Sequence, residues 1–176
     1  MSEGNEQARE VYEVGKSPDY DHAAGLSRLI ELRDPESVFR AGRLWPTFDY
    51  ERGFEALRDM KSAKYIYHAG LEWRRFDADA GLDALLAVGD PAYLFYAGAH
   101  WKRFDHVRGM EGLLASRNCE YLYRAGTMWR QFDHEAAWRI LEARVVAGEH
   151  WRGMAFEHPR WRQSLARIWR VMTGVG

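Results

Sequence analysis

Leu94, Ala97, Gly98 and Trp101 stand at i, i+3, i+4 and i+7, the spacing of one helical face. Asp90-Pro91 in front of them is an N-cap followed by a first-turn proline. Asp77 begins a second pattern of the same kind, continued by Ala80, Gly81, Ala84 and Leu85. Both patterns recur. Ala41-Gly42 with Trp45 returns as Ala69-Gly70 with Trp73, Ala97-Gly98 with Trp101, and Ala125-Gly126 with Trp129, in steps of 28 residues. Phe48-Asp49, Phe76-Asp77, Phe104-Asp105 and Phe132-Asp133 keep the same step, with Tyr20-Asp21 ahead of them. Gly25, Gly53, Gly81 and Gly109 form a third set, which Ala137 continues.

Each unit therefore reads as a helical hairpin. The first, or A, helices are predicted near 35–46, 63–74, 91–102 and 119–130. The second, or B, helices are predicted near 21–31, 49–59, 77–87, 105–115 and 133–146. Residues 4–15 read as a degenerate first A helix. The tail leaves the pattern, with a short helix near 150–156 and a last helix from Pro159 to about Met172. The organisation expected is a single repeat domain over 1–176, with a cap over 1–18, regular repeats over 19–146 and a basic capping region over 147–176.

A glycine in a helix interior costs about 1 kcal/mol against alanine. Its recurrence in every A helix calls for a steric reason, and a close helix crossing, with the B-helix glycine facing it, is the expectation. The tryptophan one turn further on is expected to fill the space beyond that contact. On this reading eight of the 16 glycines and four of the 8 tryptophans are copies of one packing device. Trp138, Trp151, Trp161 and Trp169 fall outside it.

Charge adds a second layer. The net charge is −1, yet residues 1–60 carry 13 acids against 8 bases, and residues 151–176 carry Glu157 against Arg152, Arg160, Arg162, Arg167 and Arg170. Three readings of that basic tail compete. It is a capping helix closed by Trp161, Leu165, Ile168 and Trp169. It is a nucleic-acid or acidic-partner patch, extended by Arg74, Arg75, Lys102, Arg103, Arg124 and Arg130. Or it meets the acidic end of another copy. Overall neutrality weighs against phosphate binding, which needs dense positive charge.

Candidate chemistry is sparse. One cysteine excludes an intrachain disulfide framework. Cys119 begins a predicted A helix, where a thiol pKa can fall, but no base is fixed beside it by the sequence. His22, His106 and His134 share one position after the Asp cap and are expected at the solvated surface, on separate units and too far apart to share a metal. No cofactor, metal ligand set or catalytic residue is assigned. No apolar run has membrane-spanning length, and the first 20 residues are polar and acidic, so no leader and a cytoplasmic location are expected.

Over residues 20–146 the hairpin arrangement resembles tetratricopeptide and HEAT-like repeats in architecture. The period and the Phe-Asp and Ala-Gly-x-x-Trp anchors depart from both, so no functional residue carries over. The resemblance implies an all-α fold, an α–α superhelix or solenoid of 28-residue hairpins, right-handed by analogy. The leading expectation is a non-enzymatic scaffold or adaptor that binds an extended protein partner. Its column is Arg40, His68, Tyr96 and Arg124, rimmed by Arg74, Arg75, Lys102 and Arg103. The alternatives are nucleic-acid binding through the rim and tail, and a glycosylase-like or hydrolytic enzyme with a pocket on a concave face. Self-association comes last.

Overall fold

Short polar side chains start nearly every helix, because a side-chain oxygen can accept from the free N–H groups of the first turn. Asp21 accepts from the N–H of Ala24 at 3.0 Å, Asp49 from Arg52 at 3.1 Å, Asp90 from Ala92 at 2.9 Å, Asp105 from Val107 at 3.0 Å and Asn118 from Tyr121 at 3.2 Å. The computed structural model describes residues 3–143 and 145–173. Over these the chain is all-α: α1 (Glu3–Val14), α2 (His22–Glu31), α3 (Pro35–Leu44), α4 (Tyr50–Asp59), α5 (Ala63–Glu72), α6 (Ala78–Val88), α7 (Pro91–His100), α8 (His106–Ser116), α9 (Cys119–Met128), α10 (His134–Ala143), α11 (Val145–Glu157) and α12 (Pro159–Thr173). Among the described residues no helix is long and apolar enough to cross a membrane.

The helices gather into two compact units, one ending at Val88 and one beginning at Gly89. In the first, α1, α3 and α5 pack in succession, α2 lies against α1 and α3, α4 against α3 and α5, and α6 against α5. Its core is built on Leu26, Leu29, Val38, Leu57, Ile66, Leu82 and Leu85. In the second, α9 is central, touching α7, α8, α10, α11 and α12. Leu113, Leu122, Trp129, Leu141 and Trp161 are its most buried large side chains.

The A helices start where the spacing places them but stop about two residues early. Each tryptophan is the C-cap rather than a helical residue. Trp45 has φ −71° and ψ 139°, Trp73 −74° and 142°, Trp129 −70° and 141°. The cap N–H still donates to the alanine four residues back, while the extended ψ swings the chain out of the helix. The tail helix placed near 150–156 is longer, starting at Val145, and the last helix runs from Pro159 to Thr173. The junctions from B to A helix carry their own periodic feature. Arg33, Lys61 and Arg117 adopt left-handed φ of 51°, 52° and 51°, and Gly89 takes that place at 75°. At Lys61 the turn closes with the Ser62 N–H on the Leu57 carbonyl at 3.1 Å, the six-to-one bond of a Schellman ending.

The glycines are explained differently from the expected crossing of two backbones. A Cβ on Gly42 would lie 2.5 Å from Cε2 of Trp73, and one on Gly126 would lie 2.5 Å from Cε2 of Trp161. Gly98 stands in the same relation to Trp129, and Gly15 to Trp45, each closer than 3.0 Å. What each glycine clears is an indole ring supplied by the next hairpin along the chain. The indole N–H then donates to the carbonyl three residues before that glycine: Trp45 to Tyr12 at 3.1 Å, Trp73 to Phe39 at 3.0 Å, Trp129 to Phe95 at 3.2 Å and Trp161 to Tyr123 at 3.1 Å. The B-helix glycines clear a different ring. At Gly53 and Gly109 the obstacle is Phe48 or Phe104 of the same hairpin, with the tip of Trp73 or Trp129 at 3.3 Å.

Candidate functional site

Residues committed to packing cannot also read a partner, so the site is found by removing them. The three histidines after the Asp caps belong to the packing, which corrects their expected solvated placement. Nε2 of His22 lies 2.9 Å from the Gly15 carbonyl, that of His106 3.2 Å from Gly98, and that of His134 3.1 Å from Gly126. A carbonyl only accepts, so each Nε2 carries the proton. In His22, Nδ1 then accepts from the Thr47 hydroxyl at 2.8 Å. Each ring packs edge-on or tilted against the seated indole: His22 on Trp45 at 5.3 Å, His106 on Trp129 at 5.4 Å, His134 on Trp161 at 4.8 Å. Tyr50 fills the position beside Trp73 at 5.7 Å. Burial pulls the His134 pKa below its ordinary 6.5, against the opposing pull of its bond to Gly126.

The tryptophan column is likewise no open cage for a base. Trp45, Trp73, Trp101 and Trp129 are buried, and the N–H of Trp45, Trp73 and Trp129 goes to a carbonyl as described. Trp161, which the 28-residue register leaves outside, joins them. Trp138 is buried and meets Phe156 edge-on at 5.2 Å. The side chain of Trp169 lies outside the described residues. Cys119 is buried at the start of α9. Among the described residues no three potential metal ligands cluster.

What remains is the exposed side of the A helices. In the first unit, Arg40 pairs with Glu36 at 2.5 Å, and Glu36 accepts from the Tyr65 hydroxyl at 2.9 Å. Tyr65 stacks obliquely on Phe39 at 5.6 Å, and His68 does so at 5.8 Å. Arg43 of α3 reaches Glu72 of α5 at 2.9 Å, and Glu72 lies 3.8 Å from His68. Burial, then the Glu36 acceptor, pushes the Tyr65 pKa far above its ordinary 10. The hydroxyl is therefore a donor at any physiological pH.

The second unit repeats the face with more rings. Tyr96 meets Tyr93 at 6.2 Å, Tyr121 at 6.4 Å and, stacked, His100 at 6.2 Å. Arg124 pairs with Glu120 at 2.7 Å and sits over the Tyr121 ring, 5.6 Å from its centroid. Burial raises the pKa of Tyr93 and of Tyr121.

Of the expected column, the structure joins Arg40 to Tyr65 through Glu36, His68 to Phe39, Tyr96 to Tyr121 and Arg124 to Tyr121. Sequence reasoning missed the ring positions themselves. Tyr65, Tyr93 and Tyr121 occur at the 28-residue step, with Ser37 one step earlier; the period was there to read. The rim residues Arg74, Arg75, Lys102 and Arg103 are exposed in the loops after Trp73 and Trp101. The tail arginines do not form one patch. Arg160 donates to the Thr127 carbonyl at 2.8 Å and to the Trp129 carbonyl at 2.7 Å, closing the end of α9. Arg152 is half-buried on α11, while Arg162, Arg167 and Arg170 are exposed on α12. Comparison with known proteins adds no relative: no family model, no curated protein and no solved structure matches the chain.

Proposed function

We propose that the chain is a non-catalytic interaction scaffold of the cytoplasm, an α–α superhelix of solenoid type whose A helices, within each unit, offer a strip to an extended protein segment. The observation that carries this reading is the half-buried tyrosine set: Tyr65 in one unit, bonded to the Glu36 that pairs with Arg40, and Tyr93, Tyr96 and Tyr121 in the other, ring against ring with Arg124 over Tyr121. Tyrosine and arginine dominate the energetics of protein interfaces, because a ring offers large area at little entropic cost and guanidinium adds directional bonds. The tyrosines are pre-positioned by ring contacts and ion pairs, which lowers the ordering cost of binding. Arg74, Arg75, Lys102 and Arg103 form the polar rim.

The test begins with affinity capture from the native source and purification of the partner. Wild type is then titrated against Arg40→Glu/Arg124→Glu and against Tyr65→Ala/Tyr121→Ala. Binding at least about tenfold weaker, or about 1.4 kcal/mol, with melting changed little in the arginine variant, is expected. Equal affinity across the three proteins overturns the reading.

A further inference from the structure

On α3, α9 and α10, opposite charges sit one turn apart and neutralise each other: Arg40 with Glu36, Arg124 with Glu120, Arg139 with Glu135. On α1 and α12 the exposed charges of one sign are in excess. On α1, Glu6 and Glu10 are exposed one turn apart, and among the described residues neither side chain has an ion pair or hydrogen bond. Arg9 shares that exposed side, and Glu13 is engaged by Lys16 at 2.6 Å. On α12, Arg162 and Arg167 are exposed, and among the described residues their side chains equally make no bond. Arg170 reaches only the Ala166 carbonyl of its own helix, at 3.3 Å, and α12 contains no carboxylate.

Like charges at neighbouring helical positions repel. Each helix tolerates an excess of one sign, and the two excesses are opposite. Both helices use their apolar sides inward, through Ala8 and Tyr12 on α1 and through Trp161 and Leu165 on α12. The outward sides therefore offer charge rather than apolar area. We infer that α12 of one copy docks on α1 of a second copy of this chain, with Arg162 and Arg167 meeting Glu6 and Glu10. Such a contact joins two different surfaces, so it is heterologous rather than two-fold symmetric. Exposed pairs are individually weak and are screened by salt. The association is accordingly concentration-dependent and confined to low ionic strength. It uses neither the tyrosine strip nor its partner, so it stands or falls separately from the proposed scaffold role.

Sedimentation velocity across a concentration series, at about 20 mM and about 500 mM salt, tests it. Wild type should associate at low salt and become a single slow species at high salt. Arg162→Glu/Arg167→Glu and Glu6→Arg/Glu10→Arg should each lose at least about tenfold in self-affinity. An equimolar mixture of the two variants should associate again, since each then supplies the charge the other lacks. Circular dichroism confirms that both variants remain folded. A wild type that stays monomeric at low salt overturns the inference, as does a mixture that fails to associate. So does a monomeric wild type that instead binds a duplex of about 20 base pairs with strong salt dependence, which assigns α12 to nucleic acid.

Discussion

The junction between α3 and α5 and the junction between α9 and α12 seat the same ring by different routes. In the first, Trp73 follows its glycine, Gly42, by 31 residues and leaves the end of α5 on extended backbone. In the second, Trp161 follows Gly126 by 35 residues and projects from the first turn of α12. Yet both indoles lie on a glycine and donate to the carbonyl three residues before it, and both touch a phenylalanine edge-on, Phe48 at 5.3 Å and Phe132 at 5.8 Å. The seat is the invariant feature and the backbone that delivers the ring is adjustable. The ring comes from the end of a helix in one case and from the start of a helix in the other. That is how the tail leaves the sequence register while preserving the packing.

If the two seats are equivalent, their largest perturbation should match. Trp73→Ala and Trp161→Ala should each cost about 3–5 kcal/mol, with Trp161 at the upper end because it is 0% exposed against 7% for Trp73. Denaturant melts that show less than about 1 kcal/mol for Trp161→Ala would separate the two junctions. Filling the floor comes next. Gly42→Val, Gly98→Val and Gly126→Val should cost about 1–3 kcal/mol by overpacking. Equal stability to wild type would refute the ring-on-glycine account.

Replacing the indole by a smaller ring that lacks an N–H removes the hydrogen bond while keeping an aromatic in the seat. Trp73→Phe and Trp161→Phe leave a buried carbonyl without its donor and should each lose about 1–3 kcal/mol, part of it lost packing. Double-mutant cycles of each Phe variant with the corresponding glycine substitution report whether ring and floor act together. A smaller effect concerns the turn that precedes each A helix. Lys61→Gly should stabilise by about 1 kcal/mol, since only glycine takes a left-handed φ freely, and Gly89→Ala should destabilise by a similar amount.

The mildest probe is pH, and it distinguishes the last seat. Because the folded-state pKa of His134 lies below 6.5, the unfolded chain binds the proton more readily than the native state. The stability held above pH 6.5 is therefore lost progressively as pH falls from there toward the lowered value. His134→Phe should flatten that part of the stability curve, as followed by thermal melts between pH 7 and 5. An unchanged slope would detach His134 from the pH dependence.

Much of the helical scaffold was legible in the residue order because it rests on local rules. Asp caps, first-turn prolines and the 3.6-residue spacing act within a few positions, and they place α3, α5, α7 and α9 at their starts. The misreadings lie where a local pattern has two non-local explanations. Gly98 inside a helix demands clearance, but its own neighbours cannot say whether a backbone or a ring comes close; the answer, Trp129, is a hairpin away. His134 after a cap reads as surface until the Gly126 carbonyl is found beside it. Trp161 is out of phase in one dimension and in phase in three. The tyrosine strip was visible as a period, yet three-dimensional placement was needed to show that Tyr121 and Tyr96 meet Arg124 or each other rather than filling the core.

The sequence by itself determined that this chain is all helical, that its helices alternate in two types and that the unit is 28 residues long, because propensity, capping and periodicity are written in neighbouring residues. Only the tertiary structure decided which ring each glycine receives, which carbonyl each histidine and indole satisfies, and which polar side chains remain outward. The indole seats depend on contacts between residues 33 to 38 apart and the histidine bonds on residues seven or eight apart across a turn, where the gain of burying a ring and pairing its N–H outweighs any preference encoded along the chain.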